Sequence, residues 1–419
     1  MSGGTLNVYV PSTGSSNVFG IHIASSSGNY NVTGGTVQVY TSTSNNFNID
    51  STAPFYNLVV NRVSGTSTAR LLNNSLTILN NLTINTGSTP TFNTNSLNLS
   101  VGGNINVQAS TTFTASGSTV LTLNGSGAQT WTTSGTATVS LNSVVVNKSA
   151  GTVTLSGTLP TIPTLTLTSG TLNDGGTTIT VSTAISNSAT HTGSGKISVS
   201  GPTAIGGANG TFGNLDIATD GTVTTSGDQT CTGTLRLVAT NSTISIGSNS
   251  LTANAITAGV GFGATSRVLT NGLRNDGGFT LQGAAGDVLF PVGTTVAAYS
   301  PITINVAATT HGKITVRPVK NAHPNVVATG KSLGYFWRVS SVSYSAITAV
   351  THKSYSYGSS TLVNGTAGEK ATYSPARFDA SSNSWTYRTA TYDATAQTAI
   401  PNFDPSTGWS SNAVSLDGE

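Results

Sequence analysis

The sequence predicts an all-β chain, a parallel β-helix (β-solenoid) followed by a C-terminal β-sandwich, and three observations carry that expectation. Val, Ile and Leu alternate with Thr, Ser and Asn along most of the chain, as in TLTLT at 164–168, which is the period-two pattern of strands. Short segments of this kind return in a fixed order, roughly 20 residues apart, as stacked coils require. Charged residues make up only 7% of the chain, against about 25% in an ordinary soluble domain. Low charge alone would suggest disorder, but the regular β-branched alternation argues for many short strands joined by tight turns.

The repeats begin at the first residues. Gly3-Gly4-Thr5-Leu6-Asn7-Val8-Tyr9 returns as Gly34-Gly35-Thr36-Val37-Gln38-Val39-Tyr40, 31 residues later. A longer repeat follows, opening on Asn57-Leu58-Val59-Val60-Asn61, on Ser143-Val144-Val145-Val146-Asn147, and on Asn214-Leu215-Asp216-Ile217-Ala218. Each copy continues with similar strands in the same order: SLTILNNLTIN, TLTLTSG and TLRLVAT, then SLNLSVGGNINV, TTITVSTAIS and SLTANAIT. One coil cannot bury its inward face alone, whereas stacked coils share a narrow continuous core. Branched apolar residues suit the inward positions and Thr and Ser the outward ones. Asn and Gly at corners supply the tight or left-handed backbone of turns, and stacked Asn and Thr can bond one another between coils. The expectation is roughly twelve coils over residues 1–285, right-handed on general grounds.

Composition shifts near residue 260. Residues 1–260 hold 10 charged and 11 aromatic side chains, and the shorter remainder holds 19 and 17. Segments such as DVLFPV, SPITINVA, GKITVRPV, GYFWRVSS and SWTYRTATY, spaced by Pro- and Gly-containing turns, predict an Ig-like β-sandwich over 286–419. Residues 261–286 would then close the last coil, whose free strand edge otherwise invites aggregation.

Composition also excludes several function classes. A net charge of +3 over 419 residues, with no basic run, argues against nucleic-acid binding. The single cysteine, Cys231, permits neither a disulfide framework nor a thiolate metal site and fits a small inward strand residue. No apolar run reaches the length of a membrane span, so membrane insertion is not expected. MSGGTLNVYV lacks the basic and apolar regions of a signal peptide and opens within a strand pattern, as a mature piece of a larger polypeptide would.

The strings YNLVVN, NGSGAQTWT and GTLNDGGTTITVS, followed by FPVGTTVAAYSPITINV and GYFWRVSS, resemble repeat-rich, adhesin-like surface proteins of the Bacteroidota. These are exported by type IX secretion and include proteins of gliding motility. The resemblance extends over nearly the whole chain and concerns family style more than any ligand. The family's C-terminal sorting domain is not evident before AVSLDGE. What it implies is an extracellular structural or adhesive segment, secreted or held on the exterior of the outer membrane. Such a segment would be monomeric within a larger assembly, with surface glycans or other cell-surface proteins as partners. Asp50-Ser51-Thr52 matches the short O-glycosylation pattern of that phylum.

Residues able to do chemistry are sparse, and no enzyme is expected. Residues 1–260 carry only Asp50, Asp174, Asp216, Asp220 and Asp228 as acids, whereas glycoside hydrolysis needs two facing carboxylates. Asp220-Gly221 suits a turn and Asp216 a solvated strand position. Lys148, Lys196 and Arg236 are scattered, and His22, His191, His311, His323 and His352 show no metal-ligand spacing. No cofactor is expected, although carbonyls at turns are compatible with structural calcium. Thr-x-Thr strings suggest ice binding only if the threonines align over several coils, which variable coil lengths oppose. The aromatic-rich C-terminal region is the best place for recognition. Tyr355, Tyr357, Trp385, Tyr387 and Trp409 are the candidates for a carbohydrate platform, since aromatic faces stack on sugar rings. The alternative to a stalk or adhesin is a β-helix that binds or degrades polysaccharide.

Overall fold

The computed structural model describes residues 1–9, 19–26, 28–42, 45–295, 298–326, 332, 334–353, 376–379, 383–387, 391–393, 398–400 and 402–403. Every regular element among them is a β-strand, and the chain forms parallel β-solenoid coils, about 12 turns in all. Two compact units result: Met1–Pro202 with Gly210–Asn214, and Thr203–Asn209 with Leu215–Glu419.

In the first unit the inward positions stack as in-register ladders. Leu76, Leu99, Leu121, Val144, Leu165 and Ile185 lie one above another in successive parallel strands, and all six are buried. A second ladder runs Leu58, Leu82, Ile105, Trp131, Leu155. Phe92 and Phe113 stack at 5.9 Å with their planes 3° apart. Burying such a side chain stabilises the fold by about 1.5–3 kcal/mol, and a coil supplies several, which is why stacking succeeds where a single coil would fail. The outward Thr164 and Thr166 pair with Ala184 and Ser186 on the next coil, so threonine ranks are interrupted, as the ice-binding argument required them not to be.

The corners are held by asparagines. Asn57 Oδ1 accepts from Asn80 Nδ2 at 2.9 Å and from the Asn81 backbone N–H at 3.1 Å. Asn81 Oδ1 then accepts from Asn104 N at 2.8 Å, and Asn104 Oδ1 from Thr130 N at 2.8 Å. Each amide thus satisfies a backbone donor one coil away that the turn would otherwise leave unpaired.

The second unit repeats the scheme. Val223, Ile244, Val268 and Val292 form one inward ladder, and Leu215, Leu235 and Ile256 another. Parallel stacking ends at strands Gly278–Gln282 and Val292–Thr295, whose further partners are antiparallel: Lys313–Val319, itself antiparallel to Phe336–Val342, on the first, and Ala298–Tyr299 on the second. The last coil edge is therefore covered by an antiparallel strand, which removes an aggregation-prone edge. A separate antiparallel sheet joins Asp287–Phe290, Ile302–Ala307, Ala349–Lys353 and Asn402–Phe403.

Candidate functional site

Of the five aromatic residues expected to bind carbohydrate, Tyr355, Tyr357 and Trp409 lie outside the described residues. Trp385 and Tyr387 lie on strand Ser384–Tyr387, which pairs antiparallel with Ala376–Asp379 and sets Trp385 opposite Phe378. Trp385 is half-buried and belongs to an aromatic cluster centred on His323. The His323 ring lies 4.6 Å from Phe378, 4.8 Å from Phe336 and 4.8 Å from Trp385. Trp385 Nε1 donates to Asn325 O at 3.0 Å, and the Asn325 N–H donates to His323 Nδ1 at 3.1 Å. The indole is thereby oriented by two neighbours, and its remaining exposed surface is what a ligand could meet. Nearby in the chain, Trp337 Nε1 donates to Ser300 O at 2.8 Å. A shallow groove of about 430 Å³ is lined by Ala285, Ala307, Ala308, His311 and Ala346, among others. His311 hydrogen-bonds Val306 O through Nε2 at 3.0 Å and meets Tyr344 edge-on at 5.9 Å.

A closed, buried polar constellation lies in the first unit, where spacing gave no warning. Asp174 and His191 are both fully buried, with Nε2 of the histidine 3.1 Å from Asp174 Oδ2. The N–H groups of Gly176 and Gly195 donate to Asp174 Oδ1 at 2.8 and 2.9 Å. Gly213 N–H donates to His191 Nδ1 at 3.1 Å, so Nδ1 is the acceptor and Nε2 carries the proton given to Asp174. Burial holds the His191 pKa below its ordinary value, and the Asp174 charge opposes that shift without reversing it. Gly193, at φ 118°, leaves the room this requires, because a Cβ there would overlap the Asp174 carboxylate. With both ring nitrogens engaged, His191 offers no lone pair to a substrate or metal. The pair clamps one coil corner to the next. In sequence its only trace is a separation of 17 residues, close to one coil.

Several other polar groups also bridge coils. Asp50 accepts from Asn73 Nδ2 at 2.9 Å and Asn74 Nδ2 at 2.6 Å, and lies 3.2 Å from the half-exposed His22. Burial would raise the Asp50 pKa, but these two hydrogen bonds and His22 outweigh it and bring it below its ordinary value. Ser51 is buried and its hydroxyl donates to Ala53 O at 2.7 Å, which leaves no space for a glycan there in the folded coil. Lys148 is buried, donates to Gln129 Oε1 at 3.2 Å, and has its pKa lowered by burial. In the second unit, Asp220 Oδ1 accepts from Asn241 N at 3.2 Å and Asp228 Oδ1 from Ser250 N at 2.7 Å. Asp216 departs from expectation: it faces outward between inward Leu215 and Ile217, in register with exposed Arg236 of the adjacent strand, yet it is buried rather than solvated. Cys231 is buried as expected of an inward strand residue, and burial, chiefly, pushes its thiol up to about 11. Among the described residues, no three His, Cys, Asp or Glu side chains gather as a metal site would need, and no helix is long and apolar enough to cross a membrane.

No protein-family model matches the chain, and neither a curated protein nor a solved structure matches it.

Proposed function

We propose that this chain is an extracellular structural and adhesive segment of a bacterial surface protein, a rigid solenoid stalk carrying a recognition module at its C-terminal end. The observation that carries this is the use of buried polar groups. Asp174, His191, Asp50 and Gln129 each bond an adjacent coil, which is what a rigid column requires, and His191, with both ring nitrogens engaged, has no lone pair left to offer a substrate. The module would be a β-sandwich over 286–419, secreted with the stalk and facing surface glycans or other cell-surface proteins, without cofactor or catalysis. Trp385, Tyr387, Tyr355, Tyr357 and Trp409 would form its sugar-binding face. The resemblance to Bacteroidota surface proteins supports export by type IX secretion.

A glycan array probed with the whole chain and with Trp385→Ala tests this reading. Binding that falls at least about tenfold in the variant, with the far-ultraviolet spectrum unchanged, is the expected result. Absence of glycan or cell-surface binding by the whole folded chain would remove the adhesive part.

A further inference from the structure

The threonine rank at Thr164 and Thr166 breaks at the next coil, but the same coils carry a second face. Gly151 and Gly170, at φ 79° and 82°, turn the chain onto it. There Thr152 lies beside Thr171, Thr171 beside Thr190, and Thr190 beside Thr211 in successive parallel strands. A second column, two residues along each strand, runs Thr130, Thr154, Asn173 and Thr192. Asn173 is its one departure from threonine. Thr152, Thr171 and Thr190 are evenly spaced in the chain, so over this stretch the coils keep one length.

Val153, Leu172 and His191 stack inward between the columns and are buried. The column residues therefore point outward; Thr130 is exposed and the others half-buried. Among the described residues, no hydroxyl of these threonines bonds a protein group, which leaves water as the partner. Parallel strands lie about 4.8 Å apart and alternate residues of one strand about 6.6 Å apart. Those two repeats are close to the oxygen repeats of the prism plane of ice. Threonine is stiff at χ1, so methyl and hydroxyl are already held at the repeats and little side-chain freedom is lost on binding. The Asp174–His191 clamp fixes the strand of Thr190 and Thr192 from within. The columns offer neither a charge for an ionic ligand nor an aromatic face for a sugar ring.

We infer that this two-column threonine face binds ice. Its hydroxyls hold a first layer of water at the lattice repeat, and its methyl groups restrict the orientation of that layer, which then continues into the crystal. The inference is independent of the adhesive reading.

The test measures the fraction of the whole chain taken into a slowly growing ice hemisphere, with serum albumin as the excluded control. Thr171→Lys and Thr154→Lys each set a charged side chain in one column, and Thr166→Lys does the same on the interrupted face. Uptake above albumin is expected for the unchanged chain and for Thr166→Lys. Uptake at the level of albumin is expected for Thr171→Lys and Thr154→Lys, with their circular dichroism spectra unchanged. Exclusion of the unchanged chain from ice overturns the inference, as does uptake retained by both column variants or lost equally in Thr166→Lys. Adsorption to crystalline cellulose without uptake into ice also overturns it, and would assign the face to a saccharide lattice.

Discussion

Two aspartate–histidine pairs lie in the first unit, and burial makes them different devices. Asp174 and His191 are sealed, and every polar atom of the pair meets the other residue or a backbone N–H. In the other pair His22 is 51% exposed, and buried Asp50 is held by Asn73 and Asn74 as well. The same two residue types therefore act as a corner clamp in one place and as an accessory to an asparagine-held carboxylate in the other. Desolvation decides between them: removing one partner strands a buried charge in the first pair and is made good by water in the second.

Substitutions sharpen that contrast, beginning with the largest effect. His191→Ala leaves the Asp174 carboxylate buried without its side-chain partner and is expected to cost about 3–5 kcal/mol, read as a lowered midpoint in urea denaturation. Gly193→Ala, which drives a methyl group into the same carboxylate, should fall in that range too. Asp50→Ala removes the acceptor for two partly solvated asparagine amides and should cost about 1–2 kcal/mol. His22→Ala should change stability by less than about 0.5 kcal/mol. An effect of His22→Ala equal to that of His191→Ala would end the distinction.

The pairs also differ in where they respond to acid. The folded pKa of His191 lies below its ordinary 6.5, so the unfolded chain takes up the proton first. Its contribution is present in full above the unfolded value and is lost as pH falls from there through the folded value. Asp50, below its ordinary 3.8 in the fold, has the same sign but acts in a more acidic window. Unfolding titrations from neutral pH downward should therefore show two separate losses, the upper one absent in His191→Ala and the lower one absent in Asp50→Ala. A smaller effect is expected at Cys231: with its thiol pushed up to about 11 and buried, native protein at neutral pH should stay unmodified by iodoacetamide over hours, and react only on unfolding.

The coil architecture was legible in the sequence because inward positions alternate with period two and the strands recur in order. Ladders such as Leu76 to Ile185 follow directly from that pattern. The polar clamps were not legible, because coils differ in length. Asp174 meets His191 across 17 residues, Lys148 meets Gln129 across 19, and Asn74 meets Asp50 across 24. No fixed spacing gathers these pairs, and each residue looks isolated until register is known. Asp216 was misplaced for a different reason: alternation puts it on the outward side, in register with exposed Arg236, yet it is covered there, and burial on the outer face leaves no mark in the period-two pattern. The expected platform at Tyr355, Tyr357 and Trp409 lies outside the described residues, and Trp385 is anchored by His323 and Asn325, a contact spanning more than a coil's length of chain.

The central claim is that the polar groups inside the coils hold corners together and are closed to outside chemistry, and His191 is its sharpest case. Nitrogen-15 NMR of the imidazole at about pH 6, where an ordinary histidine is mostly charged, tests it directly. The account predicts a neutral ring protonated on Nε2, with slow exchange of that proton. An imidazolium at that pH, or a neutral ring protonated on Nδ1, would contradict it.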